Sequence, residues 1–356
     1  MTEAGATPQA KNSPSSLPLL SIVIIGRNEG ERLERCILTA RAIEGWAPNE
    51  ILYVDSGSTD GSIELAARLS AKVLPLPPGA FTAARARNLG WRSASGELVL
   101  FLDGDTILDA KFPLAALAEL HKNPSNAAVW GHRREIRPCL SIYARVLDLD
   151  WVYPPGEALF FGGDVLVRRA ALQAVNGFDE TLIAGEEPEM CRRMRSLGWH
   201  IQHIDAPMTL HDLAITRFSQ YWRRSQRAGY AFAAVSARFR ATSDPFWSAE
   251  ASHNRKRGLF WLLSPILALL ASLALLSPWP LTLWLLLLMA LAARTAWQYR
   301  WKPAPWTTLL LYGLHSHLQQ IPIYFGQIQF MRNRNQALME YKDVTPLPEK
   351  IETRQP

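Results

Sequence analysis

The sequence predicts an α/β domain with a parallel sheet, followed by a helical membrane region. Two observations predict this fold class. Short apolar runs alternate with segments of helical periodicity over residues 19–105, an order that is typical of a parallel sheet covered by helices. A leucine-rich, almost uncharged stretch over residues 258–297 is long enough for two membrane helices. A chain of 356 residues has room for one large domain and such an appendage.

The predicted strands and helices of the domain alternate along the chain. Residues 19–26 form an apolar run that predicts a strand, and the spacing of Leu33, Ile37 and Ala40 predicts a helix over 29–43. The further predicted elements are a strand over 50–54, a helix over 60–70, a strand over 71–76, a helix over 83–95 and a strand over 97–102. Ligands bind open α/β sheets at the carboxyl ends of the strands, so we expect functional residues in the loops that follow them.

Asp103-Gly104-Asp105 follows the apolar run over residues 98–102, so two carboxylates emerge together at a strand end. Alternate residues of an extended segment point the same way, so both can bind one divalent ion. Hard oxygen ligands suit magnesium or manganese, and a metal that holds a diphosphate is the natural use of such a pair. The alternative is an ordinary Asp-Gly turn, because so short a motif also occurs by chance.

Two earlier loops are also polar. Glu29 ends the loop over residues 26–29, and Asp55 begins the glycine- and serine-rich loop over 55–62. Asp55 is suited to accept hydrogen bonds from a base or a ribose, whereas the alternative is a capped turn without a ligand. Arg85 and Arg87, at the start of the helix before the acidic pair, are either ligands of a phosphate or base or solvated helix charges.

The glycine-rich motifs of dinucleotide-binding proteins and kinases are absent from the sequence. This weighs against a nicotinamide-dependent enzyme and against a kinase. The formal net charge is +6 and the sequence pI is 9.3, but many basic residues lie beside the apolar stretch. We therefore expect anionic lipid and no nucleic acid as a partner. Cys36, Cys139 and Cys191 are scattered, which indicates a reducing compartment and no structural zinc.

The membrane region begins with two candidate spans. Residues 259–276 form the first, Ser277-Pro278-Trp279-Pro280 breaks it, and residues 281–293 form a slightly short second span. Basic residues precede the first span and follow the second, so both outer ends should be cytoplasmic and the preceding domain cytosolic. The alternative is a buried helical pair in a soluble core. The segment over 305–330 is interrupted by histidine, glutamine and proline, which favours an interfacial or re-entrant segment.

A series of short motifs occurs in one order along the chain. It comprises Gly26-Arg27-Asn28-Glu29, Asp55-Ser56-Gly57-Ser58-Thr59-Asp60, Arg87-Asn88 with Gly90, Gly96-Glu97, Leu102-Asp103-Gly104-Asp105, Gly162-Gly163, Arg168 or Arg169, Gly177-Phe178-Asp179-Glu180, Gly185-Glu186-Glu187-Pro188-Glu189, Arg193 and Gly198-Trp199. Each is weak alone, but together they resemble family 2 glycosyltransferases of the membrane-anchored bacterial type, over roughly residues 19–227.

The resemblance implies a GT-A fold, which is the Rossmann-like mixed sheet of nucleotide-diphospho-sugar transferases. It further implies inverting transfer of a sugar from a nucleotide-diphosphate sugar, UDP- or GDP-linked, with Mg²⁺ or Mn²⁺ as cofactor. On this basis Asp105 and Asp103 hold the metal and the donor, while Asp55 and Glu29 address the nucleoside. His211 would complete the metal shell. Taken without the family, His211 is a local hydrogen-bonding histidine.

Inversion needs a base that removes the proton of the attacking hydroxyl. Similar proteins use the second residue of a Glu-Asp pair, whereas this chain has Glu186-Glu187. We therefore expect Glu187 to be the base, with Glu186 as the alternative. The competing interpretation is that both acids only stabilise the start of a helix at Pro188.

The region that follows the base departs from processive synthases. These carry Gln-x-x-Arg-Trp, whereas this chain reads Gln220-Tyr221-Trp222-Arg223-Arg224, followed by Gln226-Arg227. We therefore expect addition of a single sugar. Arg227 and its neighbours Trp222, Arg223 and Arg224 either bind the donor diphosphate or form a basic interfacial helix. Residues 131–159 should set acceptor specificity, but Trp151, Tyr153, Pro154 and Pro155 are compatible with stacking on a sugar or with simple packing.

The complete prediction is an α/β GT-A domain followed by a C-terminal α-helical membrane region. The predicted segments are a disordered tail (1–18), the GT-A catalytic domain (19–240), a basic juxtamembrane linker (241–257), a transmembrane hairpin (258–297), an interfacial or re-entrant amphipathic segment (298–340) and a polar tail (341–356). The predicted function is transfer of one sugar to the hydroxyl of a lipid or lipid-linked acceptor by a multi-pass protein of the inner membrane. The alternatives are a polyprenyl-phosphate sugar synthase and a non-catalytic nucleotide-binding scaffold.

Overall fold

A mixed sheet of nine strands organises the part of the chain that the computed structural model describes, residues 17–332. Their order in the sheet differs from their order in the sequence, so crossovers bring distant segments together. The strands are β1 (Leu20–Gly26), β2 (Glu50–Asp55), β3 (Lys72–Pro75), β4 (Leu98–Asp103), β5 (Thr106–Leu108), β6 (Asn126–Glu135), β7 (Gly156–Glu157), β8 (Val165–Arg168) and β9 (His200–His211).

The sheet order is β3-β2-β1-β4-β8-β6-β9-β5, with β7 paired to β9. The first four strands are mutually parallel and form what we call the parallel half. The remaining strands form the mixed half, in which β8 runs antiparallel to β4 and β6, β9 runs parallel to β6, and β5 runs antiparallel to β9. The predicted alternation of strands and helices up to residue 103 is thus confirmed, and the carboxyl ends of β1, β2 and β4 meet at one edge.

Helices cover this sheet and continue beyond it. The apolar face of the first helix packs inward because Leu33, Cys36 and Ile37 are fully buried at helical spacing. The helices are α1 (Glu31–Arg41), α2 (Ser62–Arg68), α3 (Ala83–Ser93), α4 (Phe112–Lys122), α5 (Ile142–Asp150), α6 (Arg169–Ala174), α7 (Glu186–Ser196), α8 (Phe218–Phe239), α9 (Ser248–Ala274), α10 (Trp279–Gln298), α11 (Trp306–Leu318) and α12 (Gln320–Arg332), with a short 3₁₀ turn at Pro138–Leu140.

α9 and α10 are the helices that the sequence predicts as membrane spans. Both are long and apolar enough to cross a bilayer, and they contain the predicted spans 259–276 and 281–293 almost entirely. The indole of Trp284 donates to Ser264 Oγ at 2.9 Å, which ties the two helices together. α9 begins at Ser248, so helical structure already starts within the segment that we predicted as a basic linker.

The last two described helices pack back onto the domain. α11 and α12 have 13 residues each, about 20 Å of helix apiece, which is shorter than a bilayer core of about 30 Å. α12 crosses α8 with its backbone in contact, because a side chain at Gly229 would collide with the carbonyl of Ile323 and one at Gly326 with that of Gln226. The predicted tails lie outside the described residues, apart from positions 17 and 18 of the first.

Candidate active site

The loops after β1 and β2 hold each other in place. Asn28 has a positive φ of 55°, its backbone N–H donates to Ser58 Oγ at 2.9 Å, and its side-chain oxygen accepts from the Thr59 N–H at 2.7 Å. Asp55 is 2% exposed and accepts hydrogen bonds from the N–H groups of Gly57 and Ser58, both at 2.9 Å. The predicted nucleoside residue Asp55 therefore also fixes the shape of its own loop.

Glu29 lies beside this loop and is almost fully buried. Its carboxylate is 3.0 Å from Arg32 Nη2, and its side chain packs against Gly26 and Gly104. Glu29 is thus close to the loop that carries the acidic pair, as expected for strand ends that meet at one edge. A role for Glu29 or Asp55 in nucleoside binding stays a prediction.

Asp103, Asp105 and His211 come together at the boundary between the two halves of the sheet. One ligand atom from each lies within 4.8 Å of the others, and His211 Nε2 is 3.4 Å from Asp105 Oδ1 and 3.9 Å from Asp103 Oδ2. The antiparallel register of β5 with β9 pairs Thr106 with His211, which brings the histidine to the acidic pair. Two carboxylates and an imidazole form a donor set that suits a divalent cation.

The turn after His211 is braced by charged residues. Asp212 lies 3.1 Å from Arg137 Nη2 and 3.4 Å from Arg35 Nη2, and its backbone N–H donates to the Asp105 carbonyl at 3.1 Å. Glu135 accepts from the backbone N–H of Leu213 at 2.9 Å. These contacts fix where β9 ends, and thus hold the histidine against the two aspartates.

Arg87 connects two parts of the site. These are the cluster of Asp103, Asp105 and His211, which we call the metal-type cluster, and the predicted base Glu187. Its guanidinium is 3% exposed and donates to Asp103 Oδ1 at 2.9 Å, to Glu186 Oε1 at 2.9 Å and to Glu187 Oε1 at 3.1 Å. Gly163 permits this arrangement, because a side chain there would collide with the Asp103 carboxylate and with Arg87. Donor binding by Arg87 stays a prediction. Its hydrogen bonds position the carboxylates of Asp103, Glu186 and Glu187.

Glu186 and Glu187 occupy the first turn of α7. Gly185 precedes them with φ 84°, a left-handed conformation that favours glycine. The Glu187 side chain is 16% exposed, against 6% for Glu186, so Glu187 is the more accessible. Burial and the neighbouring charge of Glu186 raise the pKa of Glu187 to about 7, although Arg87 acts in the opposite direction. A carboxylate with such a pKa is suited to general base chemistry near neutral pH.

Arg227 lies half-buried on α8. Among the described residues its guanidinium forms no hydrogen bond or ion pair with the other predicted site residues, so the structure does not join it to the cluster. Its role in donor binding stays a prediction.

Asp164 is a site residue that the sequence analysis missed. It is fully buried. Its carboxylate accepts hydrogen bonds from the Asp103 backbone N–H at 3.0 Å and from Thr209 Oγ1 at 2.7 Å. Burial, and then the charge of Asp103, raise the pKa of Asp164. An acid directly after the Gly162-Gly163 pair was the available signal. Trp151, which the sequence left open, lies with its ring centroid 4.9 Å from that of His211.

Comparison with known proteins identifies the family. The model of glycosyl transferase family 2 matches residues 21–173, and that of glycosyl transferase family group 2 matches residues 98–297, which is more than half of the chain. The chain belongs to glycosyltransferase family 2. The recognition of this family from the sequence motifs is thereby confirmed.

Curated relatives of this family 2 chain are between 25% and 35% identical to it within the aligned segments. The O-antigen chain rhamnosyltransferase WbaN of Salmonella anatum is 25% identical over 49% of this chain and 60% of its own length. The glycosyltransferase AglE of Haloferax volcanii is 35% identical over 26% and 32%, and the pre-mycofactocin glycosyltransferase of Mycobacterium tuberculosis is 26% identical over 58% and 45%. The chain therefore spans less than two thirds of each of these relatives.

A solved structure supports the fold. The mannosyltransferase PcManGT from Pyrobaculum calidifontis, in complex with GDP-Man and Mn²⁺, superposes with a TM-score of 0.55 and 19% identity over 90% of this chain and 89% of that one. The predicted GT-A fold with C-terminal helices is thereby confirmed.

Proposed function

We propose that this family 2 chain is an inverting glycosyltransferase that moves one sugar from a UDP- or GDP-linked donor to an acceptor hydroxyl, with Mg²⁺ or Mn²⁺. The observation that carries the proposal is the connected set of Asp103, Asp105 and His211 with Arg87 and Glu187. PcManGT, which binds GDP-Man and Mn²⁺, supports the donor class and the metal.

The residues divide the chemistry between two sides of the site. Asp103, Asp105 and His211 would hold the cation, which when bound neutralises charge that builds on the departing diphosphate. Glu187 accepts the proton of the attacking hydroxyl, because its carboxylate is the more exposed of the pair and its pKa is about 7. Arg87 keeps Glu187 and Asp103 at a fixed separation, so that base and donor are oriented together.

We further propose that the acceptor is a lipid or a lipid-linked sugar, and that the protein works at the cytosolic face of the inner membrane. α9 and α10 leave large apolar side chains exposed along their length, such as Leu267 at 63% and Leu273 at 63%. Faces of this kind are suited to lipid rather than to water. Arg255-Lys256-Arg257 lies in the N-terminal part of α9, before its apolar stretch, while Arg294 lies near the end of α10 and Arg300 just beyond it. This placement favours cytoplasmic outer ends, and hence a cytosolic catalytic domain.

A polyprenyl-phosphate sugar synthase is the second candidate. It is supported by the ion pair of Glu187 with Arg87, because this contact acts to lower the pKa of Glu187 against the effect of burial, and a phosphate acceptor needs no base. The Glu187→Gln variant separates the two. Retained activity in this variant, together with an inactive Asp105→Ala variant, would favour the phosphate acceptor.

The function is tested with purified full-length protein, Mn²⁺, extracted membrane lipids and a panel of UDP- and GDP-sugars. We expect release of nucleoside diphosphate from one donor, and background release from an Asp105→Ala, Glu187→Gln double variant. Glu44→Gln, which changes an exposed carboxylate outside the site, is the matched control. Unchanged release from the double variant would refute the assignment, and nucleotide binding without turnover of any donor would favour a scaffold.

A further inference from the structure

A large cavity lies between the mixed half of the sheet and the segment that follows the second candidate span. Its volume is about 740 Å³, which is within the range of roughly 300–1,000 Å³ that holds small-molecule ligands. Most of its lining is apolar and comes from three regions: residues 151–155, residues 207–210 and the α10–α11 connection at Trp301 and Pro303. The cavity therefore joins the catalytic domain to residues at the membrane boundary.

The cavity reaches the metal-type cluster through Trp151. This residue lines the cavity, and its ring lies 4.9 Å from that of His211. Arg133 also lines the cavity, and its guanidinium packs on Gly162, where a side chain would collide with it. The next residue, Gly163, packs on the Asp103 carboxylate. A ligand in the cavity would thus have one end beside the site where the sugar is transferred.

Two guanidinium groups surround Trp151 without a carboxylate partner. The Cζ atom of Arg133 lies 5.2 Å and that of Arg224 5.9 Å from the ring centroid of Trp151. Both side chains are only partly exposed, and within the described residues neither forms a hydrogen bond or an ion pair. Asp164 and Asp150 lie near enough for electrostatic attraction only.

Neighbouring arginines behave differently. Arg134 lies 2.7 Å from Asp148 and Arg137 lies 3.1 Å from Asp212. Partly buried guanidinium groups without such partners lose hydration without full compensation, and they are suited to bind a phosphate through several N–H groups. The charge around Trp151 is therefore complementary to an anionic ligand.

From these observations, and resting on the proposed function, we infer that the cavity binds the acceptor, a lipid-linked sugar whose hydrocarbon chain is joined to the sugar through a phosphate or diphosphate. The hydrocarbon chain enters from the side of Trp301 and Pro303 and fills the apolar lining. Arg133 and Arg224 bind the anionic group beside Trp151, which leaves the reacting end next to the cluster of Asp103, Asp105 and His211. A lipid with a neutral head would leave both arginines unsatisfied.

The test is photo-crosslinking without a donor, so that it does not depend on turnover. Full-length protein in phosphatidylcholine nanodiscs is irradiated with dodecyl phosphate that carries a diazirine on its chain, or with the matching diazirine dodecanol, and labelled residues are mapped by mass spectrometry. We expect the phosphate probe to label residues 151–155 and 207–210. The alcohol should label them about tenfold less, which corresponds to the loss of a charge-assisted contact.

Matched variants separate the cavity from the rest of the protein. Arg133→Gln and Leu210→Trp should each lower this labelling by about tenfold, the first by removing a charge and the second by filling the cavity from an exposed position. Arg240→Gln and Leu197→Trp change an exposed arginine and an exposed leucine elsewhere, and should leave labelling unchanged. In the wild type, excess unlabelled farnesyl diphosphate should compete with the phosphate probe and abolish the labelling. This competition experiment does not depend on the folding of a variant.

Three outcomes would overturn the inference. The first is labelling outside the cavity, and the second is labelling by the alcohol probe as strong as that by the phosphate probe. The third is competition by phosphatidylglycerol or inorganic phosphate as strong as that by farnesyl diphosphate, which would indicate binding of bulk lipid or of a free anion. Failure of the proposed function has a different signature. If no donor is turned over but the label maps to the cavity, the lipid site stands and the enzyme assignment falls. If wild type and Leu210→Trp transfer sugar to extracted membrane lipid equally well, the enzyme assignment stands and the lipid site falls.

Discussion

The parallel half and the mixed half of the sheet differ in how their charged side chains are paired. In the parallel half, Asp55 is satisfied by its own loop and Arg87 by three carboxylates. In the mixed half, Arg133 packs on the ring of Trp151 and on Gly162, and it forms no hydrogen bond or ion pair within the described residues. The difference teaches that Asp55 and Arg87 are paired within the protein, whereas Arg133 is placed to receive a charged partner.

The largest effect is expected at the boundary that both halves share. Asp105→Ala removes a ligand from the cluster with His211, and we expect kcat to fall by about 10³-fold or more, as when a transition-state charge loses its stabilisation. The measurement is nucleoside diphosphate release with Mn²⁺. We also expect Mn²⁺ to raise the Tm of the wild type by binding the folded state, and this rise should vanish in the variant. If the variant keeps both its activity and the rise in Tm with Mn²⁺, Asp105 does not contribute to metal binding.

A comparable effect on stability is expected within the parallel half. Arg87→Gln leaves three carboxylates without their shared cation, and loss of one partner of a buried ion pair costs about 3–5 kcal/mol. Arg92→Gln is the matched control, because Arg92 pairs with Glu180 at the surface and such a pair contributes about 0–1 kcal/mol. Thermal unfolding in detergent checks the difference. Equal losses of Tm would contradict the view that Arg87 stabilises the fold by pairing with three carboxylates.

An intermediate effect is expected for the predicted base. Glu187→Gln should lower kcat by about 10²-fold or more, the usual contribution of a general base. The pKa of Glu187 is raised to about 7 by burial and by Glu186, so wild-type activity should fall as the pH drops below about 7, where the base becomes protonated. The residual activity of the variant should not show this fall at low pH. If it does show the same fall, another group acts as the base.

The pH dependence of stability has the opposite sign. A carboxyl whose folded pKa lies above its unfolded value favours the folded state when protonated. The stability that Glu187 contributes is therefore present below its ordinary pKa of 4.5 and is lost as the pH rises through about 7. Denaturation at pH 5 and pH 8 should accordingly show Glu187→Gln gaining stability relative to wild type at the higher pH.

The smallest effect is expected where the mixed half meets the C-terminal helices. Tyr221→Phe removes a buried hydroxyl that lies 2.9 Å from His315 Nδ1, and one such hydrogen bond contributes about 1 kcal/mol. Tyr143→Phe, at a partly exposed tyrosine nearby, is the control. A Tm loss confined to Tyr221→Phe would indicate that α11 is part of the cooperative fold, whereas equal Tm values would indicate that it unfolds separately.

The sequence was most informative where structure is local. The strands of the parallel half follow from apolar runs, and the acidic pair Asp103 and Asp105 from its place after one of them. His211 needed the family resemblance, because its contact with Asp105 depends on the register between β5 and β9, more than a hundred positions apart. No local pattern encodes such a register.

The cavity and its arginines were beyond prediction for the same reason. Arg133 belongs to a strand with register shifts next to β9, Trp151 follows α5, and Trp301 follows α10. Only the folded chain brings these residues together. The sequence did single out residues 131–159 as the region of acceptor specificity, but aromatic and proline residues there have no spacing that distinguishes a ligand site from ordinary packing.

The close crossing of the α8 and α12 backbones at Gly229 and Gly326 has a consequence for the arrangement of the proposed site. Because the backbones of α8 and α12 touch at both glycines, neither helix can rotate or slide without a collision. α8 carries Arg224, whose Cζ atom lies 5.9 Å from the ring centroid of Trp151, while α12 packs against α9, the first candidate span. Under the proposed function, the crossing acts as a fixed spacer, which would set the height above the bilayer at which sugar and lipid can meet.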